Sequence, residues 1–252
     1  MTSANERELA YYEDLYGGFA QQHFAKSAVR AFRRYLTQRI LKVTNAGRNW
    51  RVLSVGCGIG DTELQIAPHV GEIVGVDLSP KAITQARTDA DRAGARNVSF
   101  TAGDWQTETA SMGRFDLILG VFFLHHLSDR ELAAAPSRFA KSLRPGGQIY
   151  ALEPSARRLA GMVGKLVVPS LMRRYQTADE RQLEAQATAE FFRKSGYAAQ
   201  ANWFDFVSTP LAGLIPSWES GYQFARFIDG ALIRTPVVRR WSANFELTAV
   251  RQ

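Results

Sequence analysis

The segment from residue 51 to residue 61 restricts the fold of this chain more than any other. It reads RVLSVGCGIGD, a short strand-like run that ends in glycines at positions 56, 58 and 60. Such glycines permit a tight turn and let a ligand approach the backbone at the carboxyl end of a strand. A dinucleotide-binding loop would carry its third glycine at position 61, but this chain has an acid there, which would repel a pyrophosphate at a helix N-terminus. The loop therefore indicates either a ligand without a phosphate or an ordinary tight turn.

Strand-like and helical patterns alternate along the chain. Runs rich in β-branched and aromatic residues predict strands at 51–55, 72–77, 98–100, 115–120, 147–152, 197–206 and 245–250. Apolar residues at helical spacing predict helices at about 61–69, 80–93, 129–143 and 179–194, and also within 5–43. This alternation predicts an α/β fold with a doubly wound, mostly parallel sheet and helices on both faces.

The composition fits a single globular unit. The chain has 252 residues, of which 46% are hydrophobic and 22% charged, enough to bury a sizeable core. Its one cysteine, Cys57, cannot form an internal disulfide, and no apolar run approaches the roughly 20 residues that span a bilayer. We therefore expect a cytoplasmic protein, with a peripheral position at the membrane surface as an alternative. The net charge of +7 favours anionic partners, but an ordinary basic surface accounts for it equally well.

Two acids follow predicted strands. Asp77 ends the second strand, where a carboxylate can accept two hydrogen bonds from ribose hydroxyls, although it could instead serve the start of the next helix. Asp104 follows the third strand and could accept from an adenine amine, with Trp105 beside the ring. Either acid alone is a weak signal, and it is their combination with the glycine loop that is specific.

In combination these residues resemble the class I S-adenosylmethionine (SAM)-dependent methyltransferases. The resemblance covers about residues 50–154 and rests on five segments in order: VLSVGCGIGD, VGVDLSP, GDW, FDLILGVFFLHHL and LRPGGQIYALEP. Within the family, the chain is most similar to the group that methylates small molecules, including quinone-precursor and lipid-like substrates. The resemblance implies a Rossmann-like sheet of seven strands in the order 3-2-1-4-5-7-6 with an antiparallel last strand. It also implies SAM as cofactor and S-adenosylhomocysteine as product.

The resemblance further implies which residues hold the cofactor. They are Gly56, Cys57, Gly58, Gly60, Asp77, Leu78, Asp104, Trp105, Gly120 and Val121. Ser54 departs from the family pattern, because many members have an acid there that supports the methionine end of SAM. We therefore expect the ammonium contacts of the cofactor to be weaker here, or mediated by water.

The resemblance also suggests a division of the chain. Residues 1–45 would form a helical lid and residues 46–252 the SAM-binding domain. Residues 155–178 and 207–242 would be substrate-side or interface elements, the second a helical insertion before the last strand. Tyr11, Tyr12 and Tyr16 would line the lid, although they could equally be packed residues of an amphipathic helix.

Methyl transfer needs alignment and exclusion of water, and a base if the acceptor is a hydroxyl or a protonated amine. His125 and His126 are the candidate bases, because histidine titrates near neutral pH. The alternative is that the pair is a structural feature at the start of a helix. The spacing of histidines and carboxylates indicates no metal site. Cys57 lies inside the cofactor loop and is a poor candidate for a covalent nucleophile.

The acceptor should be decided outside the shared core. Residues 207–242 are rich in apolar side chains, and we expect Trp218, Tyr222 or Phe227 to line an acceptor pocket. A cap on the sheet, a homodimer interface or a membrane-surface face would use the same residues. The Gly120-Val121-Phe122-Phe123 run after strand four lacks the pattern of enzymes that methylate nucleic-acid bases, and it suggests an apolar acceptor.

The sequence therefore predicts a methyltransferase for a small, largely apolar acceptor, with transfer to O, N or C by in-line displacement. Nucleic acid is a less favoured partner, and an RNA methyltransferase remains an alternative because of the basic charge. A catalytically silent SAM-binding or interaction protein is a second alternative. The sequence names neither the acceptor nor the oligomeric state.

Overall fold

The computed structural model describes residues 19–158 and 181–252. Its centre is a seven-stranded sheet in the order β3-β2-β1-β4-β5-β7-β6. The strands are β1 (Arg51–Val55), β2 (Glu72–Asp77), β3 (Val98–Ala102), β4 (Phe115–Val121), β5 (Leu143–Pro154), β6 (Tyr197–Asp205) and β7 (Asn244–Arg251). The first five strands pair in parallel, and β7 is antiparallel to both β5 and β6. The predicted fold class and strand order are confirmed.

Helices connect the strands and cover both faces of the sheet, as right-handed crossovers require. Within the described residues they are α1 (Phe19–Phe24), α2 (Ser27–Thr44), α3 (Asp61–Ile66), α4 (Pro80–Ala93), α5 (Trp105–Glu108), α6 (Asp129–Ser142), α7 (Ala185–Lys194), α8 (Ser208–Leu214) and α9 (Glu219–Leu232). Short 3-10 turns lie at Ala67–His69, Thr109–Ser111, Leu124–His126 and Val238–Trp241. Several helices start where the sequence provides a cap: Ser79 accepts from the Ala82 amide, and Ser128 forms a capping box with Glu131.

Two apolar layers hold the helices to the sheet. On one face, Leu53, Ile118 and Phe245 pack with Phe139 of α6 and Phe192 of α7. On the other face, the layer includes side chains from α2, α3, α8 and α9. Its members include Phe32, Leu36, Ile66, Leu119, Tyr150, Phe204, Ala212 and Tyr222. The alternate residues of each central strand therefore serve different layers, and a strand between two layers is apolar throughout.

Two predicted boundaries differ from the structure. Strand β5 begins at Leu143 rather than at residue 147, because Leu143 pairs with Phe115 of β4 before the turn that contains Gly146. Helix α7 begins at Ala185 rather than at residue 179. Leu183 forms a bridge with Ser155 instead, and the Glu184 side chain caps the helix. Tertiary pairing thus overrides helical spacing in the few residues before α7.

The insertion at 207–242 lies at the carboxyl edge of the parallel strands. Asp205, at the end of β6, and Pro154, at the end of β5, both pair with Asn244, the first residue of β7. The chain therefore leaves and re-enters the sheet for this insertion on the edge where the glycine loop lies. Ligands of open α/β sheets generally bind at this edge.

Some sequence-based expectations lie outside the described residues. They include the lid tyrosines Tyr11, Tyr12 and Tyr16, and most of the 155–178 segment. The division at residue 45 stays a prediction. Within residues 19–158 and 181–252, no helix has both the length and the apolar character required to span a membrane.

Candidate active site

The glycine loop follows β1 and needs glycine for two separate reasons. Gly56, Gly58 and Gly60 have φ angles of 66°, 55° and 73°, in the left-handed region that favours glycine. A Cβ at Gly56 would lie 2.6 Å from Cδ2 of Phe123, and one at Gly60 would lie 2.5 Å from Cζ of Phe100. The loop is therefore closed against aromatic rings, and even an alanine would force those rings to move.

Asp77 fastens this loop to the end of β2. Its Oδ2 accepts from the Gly58 amide at 2.8 Å, and its Oδ1 accepts from the Ser79 amide at 2.9 Å. A carboxylate has about four acceptor positions, two on each oxygen. Asp77 thus shapes the loop, which sequence analysis did not foresee, and its chemistry is still suited to ribose hydroxyls. Leu78 beside it is 39% exposed at the same edge.

Ser54 and Glu63 form a buried pair beneath the loop. The Ser54 hydroxyl donates to Oε1 of Glu63 at 2.6 Å, and Glu63 is 3% exposed. Burial raises the pKa of Glu63 to about 7, and the Ser54 hydrogen bond opposes part of that rise. Glu63 Oε2 has no hydrogen-bond partner among the described residues. A buried acid from the first turn of α3 thus lies beside Ser54, a contact that sequence analysis missed.

Cys57 is buried within the loop. Burial, followed by the nearby charges of Asp77 and Glu63, raises the pKa of its thiol well above the usual value. Because the thiolate is the nucleophilic form, this environment suppresses the reactivity of Cys57.

Asp104 and Trp105 follow β3, but the structure gives both local structural contacts. Asp104 caps the four-residue helix α5, with Oδ1 accepting from the Gln106 amide at 2.9 Å. The Trp105 ring is 7% exposed and packs against Phe139, with ring centroids 4.9 Å apart. Trp105 therefore belongs mainly to the core, because α5 turns the indole inward against α6. Its position beside an adenine stays a prediction.

The loop after β4 is held by a buried acid from β5. Oε1 of Glu153 accepts from the Phe123 and Leu124 amides at 3.1 and 2.7 Å, and its Oε2 lies 2.7 Å from Nδ1 of His125. Glu153 is 0% exposed, so these bonds compensate the cost of burying it. Phe122, just before this loop, has a φ of 57°, a strained value for a bulky residue. Such strain persists where the surroundings impose it, and it is concentrated at functional sites.

His125 and His126 lie in the 3-10 turn Leu124–His126, shortly before α6 begins at Asp129. Their rings are adjacent, with centroids 3.9 Å apart, while His125 is buried and His126 half-buried. Glu153 and His125 together form a carboxylate–imidazole pair. Sequence analysis missed Glu153, because nothing in the LEP segment reveals that the acid faces the neighbouring loop.

Gly120 and Val121 end β4 beside this loop. Gly120 lies against Phe123, since a Cβ there would meet the Phe123 Cβ at 3.5 Å, an ordinary contact distance. Val121 packs on the layer that contains Phe32 and Phe204. The carboxyl edge of the sheet thus brings together the glycine loop, Asp77, the β4 end and His125. Among the described residues, no group of three or more His, Cys, Asp or Glu side chains could hold a metal ion.

The three candidate acceptor residues of the insertion differ in burial and position. Tyr222 of α9 is 1% exposed and packs in the layer with Phe32, Phe204, Val121 and Phe122. Phe227 lies on the opposite side of α9 and is 79% exposed, which does not fit the pocket role expected from sequence. Trp218 is 51% exposed, and its ring covers Gly221. A single helix cannot direct positions 222 and 227 into one pocket, because they lie about 140° apart around its axis.

Comparison with known proteins identifies a domain in this chain. Residues 52–147 match a family model described as a methyltransferase domain. The chain is 32% identical to an aklanonic acid methyltransferase of Streptomyces sp. strain C5 over 48% of this chain and 55% of that protein. It is 31% identical to a ubiquinone biosynthesis O-methyltransferase of Aromatoleum aromaticum over 40% of this chain and 42% of that protein. The matched part thus spans about half the length of these curated relatives.

The fold has relatives over the full described length. The magnesium protoporphyrin IX methyltransferase of Synechocystis PCC 6803 superposes with a TM-score of 0.64 at 13% identity, covering 99% of this chain and 100% of that one. At that identity the likeness speaks for the fold alone. The glycine loop, the strand order and the matched segment agree: residues 52–147 form a methyltransferase domain, and the sheet has the strand order expected of the class I SAM-dependent methyltransferases.

Proposed function

We propose that this protein transfers the methyl group of SAM to a small, largely apolar acceptor. The observation that carries the proposal is the glycine loop, closed against Phe123 and Phe100 and tied by Asp77 to the end of β2. The loop leaves no room for side chains, and a carboxylate stands where a ribose would need an acceptor.

The residues at this edge fit SAM better than a dinucleotide. Helix α3 begins with Asp61, whose carboxylate lies 2.7 Å from Nε of Arg33, so an acid stands at the helix N-terminus where a pyrophosphate would otherwise bind. SAM has no phosphate and carries cationic ammonium and sulfonium groups, which acids favour. Gly56, Gly58 and Gly60 would hold it through the backbone, and Asp77 would accept from its ribose. Gly120 and Val121 would border its methionine part.

When bound, SAM supplies an activated methyl group that is displaced in line by the acceptor nucleophile, with S-adenosylhomocysteine as product. The protein then has to orient the acceptor and remove its proton if it has one. We assign the second task to His125. The buried Glu153 carboxylate at 2.7 Å from Nδ1 fixes the tautomer that keeps the proton on Nδ1, so that Nε2 is the basic nitrogen.

Several aromatic side chains support an apolar acceptor. Phe32, Tyr35, Phe122, Phe204 and Tyr222 belong to the layer between α2, β4, β6 and α9, next to the end of β4. The Tyr222 hydroxyl is buried and has no hydrogen-bond partner among the described residues. A buried hydroxyl without a partner is costly, so a polar group on a bound acceptor would stabilise it. The names of two curated relatives, one a methyltransferase of aklanonic acid and one an O-methyltransferase of ubiquinone biosynthesis, are consistent with this class.

Two measurements test the proposal. Titration calorimetry should detect binding of SAM and S-adenosylhomocysteine but not of NAD. Asp77→Asn should weaken SAM binding by roughly tenfold or more, since hydrogen bonds to charged groups contribute about 1.5–3 kcal/mol. Asp89→Asn, which alters an acid on the outer side of α4, serves as control. Labelled SAM incubated with a small-molecule extract should then yield a labelled apolar product by mass spectrometry. Affinity for NAD with none for SAM would refute the proposal.

A further inference from the structure

Helix α9 is apolar on both of its sides, which is unusual for a helix at a protein surface. Its inner side buries Tyr222, Ala225 and Asp229 against the body of the protein. Its outer side carries Phe224 and Phe227, which are 66% and 79% exposed. A typical surface helix has polar residues opposite its buried stripe. The outer phenylalanines therefore need an explanation beyond the packing of this chain.

The exposed apolar surface continues beyond the helix. Val237 is 66% and Trp241 45% exposed, and before the helix Leu214 and Ile215 are 52% and 46% exposed. Of the large apolar side chains that are exposed in the described residues, only Leu78 and Val250 lie outside 207–242. Exposed apolar residues gathered in one segment mark an interaction site, whereas scattered ones do not.

Within residues 220–242 the exposed charges have one sign, and the acid just before them, Glu219, is paired with Arg34 at 2.7 Å. Arg234, Arg239 and Arg240 are exposed, and Arg234 continues the outer stripe of α9 because it follows Phe227 by seven residues. The acid within residues 220–242 is Asp229, which is 0% exposed and accepts from the Phe206, Val207 and Ser208 amides. The exposed part of this segment is thus aromatic and cationic, without an acid.

A second copy of this chain is a poor match for such a surface. In a twofold dimer each patch meets itself, so the arginines would face arginines with no acid in the patch to pair with them. An anionic lipid surface matches both features, because aromatic side chains enter the interface while arginines remain at the phosphate level. We propose that the outer face of α9, together with residues 233–241, binds peripherally to anionic membranes. This inference stands independently of methyl transfer.

Sedimentation with vesicles tests it on the full chain. We expect binding to vesicles of phosphatidylcholine with 30% phosphatidylglycerol, and an affinity at least tenfold lower for pure phosphatidylcholine. The affinity for the anionic vesicles should fall by a similar factor at about 0.5 M salt, because screening weakens the attraction to the surface. Phe224→Ser with Phe227→Ser should reduce binding at least tenfold. Arg234→Gln with Arg239→Gln and Arg240→Gln should reduce it tenfold on anionic vesicles only.

The matched control removes three cations elsewhere. The control variant carries Lys42→Gln, Arg48→Gln and Arg96→Gln, which change exposed residues. Lys42 lies near the end of α2, and Arg48 and Arg96 lie shortly before β1 and β3, at the amino-terminal edge of the sheet. This variant should bind anionic vesicles within about twofold of the wild type. Circular dichroism and SAM titration check that each variant is folded. Absence of vesicle binding, equal loss in the control, or a dimer in sedimentation equilibrium that dissociates in the Phe224→Ser, Phe227→Ser variant would each overturn the proposal.

Discussion

The glycine-loop region and the insertion at 207–242 meet at the same edge of the sheet, yet they are built on opposite principles. In the first, acids accept from backbone amides, as with the partly buried Asp77 and the fully buried Glu153. In the second, the one buried acid, Asp229, anchors the segment while phenylalanines face outward. The first region is organised to hold one ligand geometry, whereas the second is organised to present a surface. Cofactor binding and the choice of acceptor or partner can therefore change independently of each other in this fold.

The largest effect is expected where the loop has no space. Gly60→Ala should abolish measurable SAM binding, because its Cβ would meet Phe100 at 2.5 Å and its φ of 73° is unfavourable for alanine. The two costs together are on the order of 2–5 kcal/mol. Gly146→Ala is the matched control, with the same φ and nothing within 4 Å of the added Cβ, and it should retain SAM affinity. Titration calorimetry and thermal melting check this, and equal losses in both variants would show that backbone strain alone matters.

A comparable effect on stability is expected from Glu63 as the pH changes. Its folded-state pKa is raised from 4.5 to about 7, so the native protein favours the protonated form. That stabilisation is present below pH about 4.5 and is lost as pH rises through about 7, where the penalty approaches 3 kcal/mol. Glu63→Gln should therefore be more stable than the wild type at pH 8 and similar to it at pH 5. Urea unfolding at both pH values measures this, and parallel stabilities of the two proteins across that range would contradict the assignment.

A smaller effect on turnover should come from Glu153. Glu153→Gln should lower kcat by about 10–100-fold while SAM affinity changes little, because a general base contributes roughly 100–10,000-fold and Glu153 only orients that base. His125→Gln should cause a similar loss, and the double variant should lose little more, since the two residues act as one unit. If Glu153→Gln reduces kcat and His125→Gln does not, Glu153 acts only by holding the Phe123 and Leu124 amides.

The smallest effect contrasts the two sides of α9. Tyr222→Phe should raise the KM for the acceptor by a few-fold and leave SAM affinity unchanged, because it removes a buried hydroxyl that lacks a partner among the described residues. Stability should be equal or slightly higher, since an unsatisfied polar group is lost. Phe227→Leu, on the outer side, should leave both KM and SAM affinity unchanged. A raised KM in the Phe227 variant would assign the outer face to the acceptor instead.

The sequence alone determined the alternation of strands and helices and the position of the cofactor loop. Both follow from local signals: glycines that require unusual φ angles, and a two-residue alternation in strands separated by helices. The order of the strands in the sheet came from the family resemblance, and the structure confirmed it.

Only the tertiary structure decided which side chains meet across the chain. Glu153 reaches His125 because β4 and β5 are neighbours, and Glu63 reaches Ser54 because α3 folds back over β1. Likewise Tyr222 and Phe227 look equivalent in sequence, but the packing of α9 on α2 buries one and exposes the other. Contacts between residues distant in the chain depend on the packing of whole elements, and no local pattern encodes which face of an apolar helix will be covered.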